Sequence, residues 1–425
     1  MQKNIFHTSL VRLASTVANF LLVFIVARYL GPNAKGIASI MLTTVSFVVF
    51  FSSIIGGQSY IFLIPKLKFE ALVVPAALWS LLISISAFVL LSFLNLTDIY
   101  GALFIAGIAL LMALNNVLTT LFLAKQRWTL FNVLQSFPVL FTLLITALLF
   151  FVFHQKTLNV YLFAMVISYV FTILLGLWFI RDEFTITKLS QTFEEIETLF
   201  RYGLSYQLLD LLQLLNLRFY FFMLHHLQGN ADLGYFSVGV SLFESCWIFA
   251  RSVQTVAYSR FVSFAFSFAI AMEVIRYVKF SVFISCIIAA VLLVLPNTFY
   301  LFVFGEAYVG VNWSLKWFVP GVIAYNVYLI LQSYYLAKGK YTGLILMNVV
   351  GFIFSLLGCY SWIPMRYFTG AAAAASMSFM FCAGGVYIMF CRENQLPLSV
   401  FLPNRDDITA FKKAVATLFG KSVVK

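Results

Sequence analysis

Apolar residues in this chain neither alternate with polar ones nor keep to one helical stripe. They come in long continuous runs separated by short polar stretches. A run of about 20 apolar residues is enough to cross a bilayer, and backbone at membrane depth must be helical unless it closes into a barrel. Barrel strands would alternate. The runs predict twelve helical spans, near 5–27, 37–63, 72–95, 101–124, 131–153, 158–180, 202–224, 234–254, 278–303, 314–337, 341–363 and 370–390. The expected fold class is an all-α integral membrane protein.

Three stretches break this pattern. Between Asp182 and Phe200 the apolar residues Leu189, Phe193, Ile196 and Phe200 fall on one helical stripe, with Glu194, Glu195 and Glu197 around it. Near the C-terminus Ile408, Phe411, Val415 and Leu418 repeat the spacing beside Lys412 and Lys413. Both predict helices lying on the membrane surface. The stretch 255–277 is apolar but interrupted by Arg260, Glu273 and Arg276. It reads as a cytoplasmic continuation from span eight into span nine, or as part of an extra span.

Composition narrows the class further. Of 425 residues, 63% are apolar and 10% charged, against roughly 25% charged in soluble domains. There are too few charges to coat a soluble surface, which excludes a soluble enzyme, a nucleic-acid-binding protein and a disulfide-stapled secreted module. Twelve spans of about 20 residues leave too little chain for a separate soluble domain. The net charge of +12 reflects placement. With the N-terminus in the cytoplasm, inside segments hold twenty Lys and Arg, outside segments hold five, and Arg12 and Arg218 lie within spans. That bias predicts both termini inside and an even number of spans. The five cysteines are scattered and have no metal-like spacing, so they read as small core residues. The first apolar stretch runs into Ala27-Arg28 without a cleavage site and reads as the first span.

The chain also repeats itself. Gly31-Pro-Asn-Ala-Lys-Gly36-Ile-Ala-Ser39 and Gly229-Asn-Ala-Asp-Leu-Gly234-Tyr-Phe-Ser237 share two glycines and a serine at an offset of 198. Leu123-Ala-Lys-Gln-Arg-Trp-Thr129 and Leu336-Ala-Lys-Gly-Lys-Tyr-Thr342 match at an offset of 213. The first pair follows the first span of each half and the second pair follows the fourth. Two six-span halves in a parallel repeat are expected, as transporters are commonly built, with the substrate between them. The predicted organisation is a half at 1–181, a surface linker at 182–200, a half at 201–391 and a basic amphipathic tail at 392–425.

The first sixty-five residues add a resemblance. A span leads to Ala27-Arg-Tyr-Leu-Gly31-Pro-Asn-Ala-Lys-Gly36-Ile, then a second span ends in Gly56-Gly57-Gln58 before Pro65-Lys66. This resembles the polysaccharide biosynthesis proteins of the O-antigen flippase (Wzx) type, in the multidrug/oligosaccharidyl-lipid/polysaccharide exporter superfamily. The whole-chain layout is similar. The resemblance implies a V-shaped bundle in the bacterial inner membrane. It also implies alternating access for undecaprenyl-diphosphate-linked oligosaccharide, and polysaccharide polymerase and chain-length proteins as partners. Two departures matter. Multidrug members generally use a carboxylate on the first span, where this chain has Arg12 and no acid. Lipid II flippases usually carry fourteen spans rather than twelve.

Ionisable groups inside spans are expensive and mark function by default. Arg12 sits halfway along span one, and Arg218 lies in span seven, its counterpart in the repeat. Together they can place two positive charges in one cavity, and Arg forks fit phosphate oxygens. The plain alternative is snorkelling to an interface or pairing with an acid. Asp210 precedes Arg218 by eight residues, and Glu244 precedes Arg251 by seven, so each pair shares a helical face. These acids are expected to anchor the arginines or to bind a coupling H+ or Na+, while Arg251 lines the cavity or marks the cytoplasmic end. Asn115, Asn116, Gln207 and Asn326 are candidate glycan contacts, though intramembrane amides more often join helices. His225 and His226 fall at the outer end of span seven. No P-loop, metal site or cofactor motif is present. A cation-coupled drug exporter using Asp210 and Glu244 is the alternative function. A membrane glycosyltransferase fits least, because the outside loops are short and hold few acids.

Overall fold

A computed structural model describes residues 2–55, 70–125, 127–181, 190–263, 268–308 and 310–401. Within these ranges side chains are described except at 2–10, 12, 13, 70–72, 124, 190–206, 248, 249, 256, 259, 262 and 263. Every regular element among the described residues is helical. In chain order they are α1 Gln2–Ser52, α2 Glu70–Phe93, α3 Ile99–Ala124, α4 Trp128–Ala147, α5 Leu158–Ile180, α6 Ser190–Gln228, α7 Asn230–Ser263, α8 Phe268–Val294, α9 Asn297–Phe304, α10 Val311–Ala337 and α11 Thr342–Glu393.

Two of these helices are too long to be one span. Helix α1 has 51 residues and α11 has 52, so each would be nearly 80 Å long if straight, far beyond the ~30 Å hydrocarbon layer. Each is broken once. In α1 the break is Gly31, at φ 77° and ψ 175°, followed by Pro32, a residue suited to the first turn of the next segment. In α11 the break is Tyr367, at φ 52°, three residues after Pro364. Each of the two therefore supplies two spans. With α2 to α8 and α10 this makes twelve long helical segments among the described residues, six on each side of residues 182–189. Eight of the helices are long and apolar enough to cross a membrane by length and composition.

Three expectations from the sequence change. The predicted span 278–303 ends earlier, because α8 stops at Val294 and Pro296 separates it from the short α9; a proline cannot continue the ladder. The stretch 255–277 adds no span. Helix α7 runs to Ser263 and α8 starts at Phe268, and Arg260 Nε reaches Glu273 Oε1 at 2.7 Å across the turn. Tyr277 also donates to Glu273, at 3.0 Å. Of the predicted surface helix 182–200, residues from Ser190 onward run unbroken into α6, and 182–189 lie outside the described residues. So do the tail stripe 408–418 and the Gly56–Lys66 exit.

The chain packs as two compact units. One comprises Met1–Leu214, Phe221–Val238 and Leu301–Tyr308; the other comprises Leu215–Tyr220, Gly239–Tyr300 and Val309–Lys425. In the first unit α1 to α5 bury an apolar cluster that includes Leu121, Phe122, Leu134 and Ile180. In the second, α10 lies along α11 at close range. Ala371 to Ala375 are all buried there, and the Ser376 hydroxyl donates to the Phe318 carbonyl at 3.2 Å. Small residues at such crossings let backbones approach where no hydrophobic effect drives helices together.

Both repeated motifs have matching structure. Gly31 and Gly229 each interrupt helix at positive φ, 77° and 86°, a conformation that side chains with a Cβ resist. Five residues on, a Cβ on Gly36 would run into the carbonyl oxygen of Asn230, and a Cβ on Gly234 would run into that of Pro32. At the offset of 198, Asn230 is the counterpart of Pro32. The two motifs therefore clasp each other reciprocally inside the first unit. The second pair forms the same turn twice. The Lys125 amide donates to Leu121 and the Arg127 amide to Phe122, at 3.0 and 2.9 Å. The Lys338 amide donates to Tyr334 and the Lys340 amide to Tyr335, at 3.2 and 3.0 Å.

Candidate functional site

Polar side chains deep in α6, α7, α10 and α11 gather in two places in the second unit. The first is a dry hydrogen-bonded layer. Asn216 on α6 donates through Nδ2 to the Asn348 carbonyl at 3.0 Å. Its Oδ1 accepts from the Ser378 hydroxyl at 2.8 Å. Asn348 Nδ2 in turn donates to the Tyr328 hydroxyl at 2.6 Å. Buried amides at this depth must be satisfied by protein, and these join four spanning segments.

The second is ionic. Arg218 lies on α6 a little over half a turn from Asn216, and its guanidinium reaches Glu244 Oε1 of α7 at 2.9 Å. Both side chains stay partly open, at 27% and 33% exposure. Arg251, two turns further along α7, is exposed. Beside them lies an aromatic floor. The Tyr325 ring sits 4.4 Å from Trp247 and 4.9 Å from Phe379, centroid to centroid. A half-open ion pair inside membrane spans cannot face hydrocarbon at acceptable cost. Its open side requires water or a polar ligand.

The predicted pairing changes partner. Eight residues of spacing put Asp210 on the same face as Arg218, but the guanidinium bonds across to Glu244 on the neighbouring helix. Asp210, on α6, is half-buried. Counted at the offset of 198, Asp210 rather than Arg218 is the counterpart of Arg12, so the repeat carries opposite charges at one position. The backbone of Arg12 belongs to α1, and its side chain lies outside the described residues.

Three of the four candidate glycan amides are buried and tie helices together. Asn115 donates to the Leu134 carbonyl at 3.4 Å, Gln207 to the Ser53 hydroxyl at 3.1 Å, and Asn326 to the Ser285 hydroxyl at 2.7 Å. Asn116, next along α3, is exposed. His225 and His226 are exposed at the end of α6. Sequence reasoning missed the aromatic floor, because Trp247, Tyr325 and Phe379 come from three helices and are lost among many aromatics. It also missed Lys35, which the charge count placed in an outside loop but which is only 8% exposed.

Solved structures share this architecture over nearly the whole chain. The lipid II flippase MurJ in an inward closed conformation aligns over 99% of this chain and 94% of its own, with a TM-score of 0.76 at 13% identity. The chain has the fold of the MOP-superfamily transporters. An inward-facing multidrug resistance MATE family transporter of that superfamily aligns over 91% of this chain and 98% of its own, with a TM-score of 0.67 at 14% identity. A further MOP superfamily transporter, from Pyrococcus furiosus, gives 0.64 at 14% identity over 94% of this chain and 96% of its own. No protein-family model and no curated protein matches the sequence.

Proposed function

We propose that the protein is a flippase. It carries undecaprenyl-diphosphate-linked oligosaccharide across the bacterial inner membrane by alternating access, for surface polysaccharide of the O-antigen or capsule type. The half-open Arg218–Glu244 pair, with Arg251 exposed two turns along α7, is the observation that supports this most. A diphosphate is the kind of group that such a cluster binds, through charge and the guanidinium fork. In this reading Arg12 adds a further positive charge from span one. Glu244 holds Arg218 in place, Asp210 is a charge partner or a site for a coupling H+ or Na+, and Asn116 is the amide open to the glycan. The polyprenyl tail stays in lipid while the headgroup crosses. The halves 1–181 and 201–391 rock against each other, both termini are cytoplasmic, and the 182–200 linker and 392–425 tail lie on that side. Polymerase and chain-length proteins act on the delivered product.

The test is genetic. Arg12→Ala and Arg218→Ala should each abolish surface polysaccharide while the protein remains in the membrane at normal level. Normal polysaccharide in both variants overturns the assignment of these arginines to the cavity. A second reading, a cation-coupled drug exporter, draws on the fold shared with multidrug transporters and on the half-buried Asp210. It predicts that Asp210→Asn raises drug accumulation in cells and leaves polysaccharide untouched.

A further inference from the structure

Transport does not require two features of the second unit, a groove and a pair of cations at its mouth. The groove, of about 690 Å3, runs between α10 and both segments of α11. Trp317, Trp362 and Ala373 line its outer part, and Met347, Gly384 and Ile388 its inner part. Ala373 to Ile388 is fifteen residues, about 22 Å of helix, which is most of the ~30 Å hydrocarbon thickness. Its walls are apolar apart from Ser376, whose hydroxyl is committed to the carbonyls of Trp317 and Phe318. A Cβ added at Gly384 meets nothing within 4 Å, so the groove is open there to its floor.

At the outer end Trp313, Lys316 and Trp317 fall at i, i+3 and i+4, one face of α10. The Lys316 ammonium lies 5.3 Å from the Trp313 ring centroid. The Arg366 guanidinium, from the bend in α11, lies 5.1 Å from the Trp317 ring. Both cations are exposed, and among the described residues neither meets a carboxylate. They are two of only five basic residues on the side where such residues are scarce. An apolar channel as long as a lipid tail therefore ends beneath two open cations and a tryptophan pair suited to the headgroup level.

We propose that this groove is a resident site for an anionic phospholipid. One acyl chain lies along α11 and the headgroup phosphate rests on Arg366 and Lys316. The Arg fork accepts phosphate oxygens in pairs, and basic residues at a membrane surface favour anionic headgroups. An undecaprenyl chain is far longer than the groove, which favours a phospholipid over the tail of the transported substrate.

Native mass spectrometry of the full-length protein in mild detergent tests the site, with phosphatidylglycerol and phosphatidylethanolamine as probes. Wild type should retain one phosphatidylglycerol, preferred over phosphatidylethanolamine by about thirtyfold, the scale that two surface basic residues provide. Gly384→Phe, which fills the groove, should lose the lipid, and Gly384→Ala, which leaves room, should keep it and melt like wild type. Arg366→Gln should retain a lipid but remove most of the headgroup preference. The site is overturned if Gly384→Phe and wild type hold equal phosphatidylglycerol, if the two probes bind wild type equally, or if the retained lipid is a polyprenyl phosphate.

Discussion

At the glycine clasp of the first unit, backbone meets backbone, no charge takes part, and each motif does to the other what the other does to it. At Arg218 in the second unit, a side chain meets a side chain, half in the open, and the repeat supplies no matching pair at those positions. Gly36 and Gly234 are counterparts with one role. Arg12 and Asp210 are counterparts with opposite charges. The symmetric contact is the kind that holds helices in place, because it needs only the absence of side chains. The asymmetric one is the kind that handles a ligand, because it presents charge to whatever fills the open side.

Substitutions can break or sharpen this contrast. The largest effect on stability is expected at the clasp. Gly36→Ala and Gly234→Ala each push a methyl into a carbonyl that cannot change rotamer, costing about 3 kcal/mol or more, and the two losses should be similar. Apparent Tm of the purified protein measures them, and Gly107→Ala is the control, since a Cβ there meets nothing within 4 Å. A large loss at one glycine alone would mean that the clasp is not reciprocal in energy.

Next comes the dry amide layer. Asn216→Leu strands the Ser378 hydroxyl and one side of Asn348, at about 1–3 kcal/mol, read from the same melts. The Arg218–Glu244 pair should be worth less. It is partly exposed, so a double-mutant cycle should return about 1 kcal/mol of coupling, while the proposed function predicts that either single change removes transport. Activity lost with little stability lost would set it apart from the clasp. At the bottom of the scale is Lys340, 60% exposed in its ion pair with Glu393. Lys340→Ala should cost under about 0.5 kcal/mol, and high salt should erase even that.

Spans were legible in the sequence because hydrocarbon demands uninterrupted apolar helix. For the same reason the end of span nine was not, since Phe299, Tyr300, Leu301 and Phe302 continue the apolar run past Pro296 while the helix does not. The motif at Gly31 and Gly229 was legible as a match, and its contact was not, because a pattern of glycines says that something comes close without saying what. The partner of Arg218 was illegible for a related reason. Periodicity relates Asp210 to Arg218 along one helix, whereas Glu244 reaches it from another, at a height set by the packing of α6 on α7. The amides were legible as a class. Which of them face outward depends on the rotation of each helix, and on that point Asn115 and its neighbour Asn116 differ completely.

The clasp has one more consequence. Contacts in which i meets j and the counterpart of j meets the counterpart of i are what two identical chains form across a two-fold axis. Residues 31–36 and 229–234 thus meet within a single polypeptide in the way two copies of one chain meet across such an axis. The two motifs differ where side chains are involved, as at Pro32 and its counterpart Asn230. Gly36 and Gly234 are the same residue, and at each of them the neighbour is main chain, which substitution does not change.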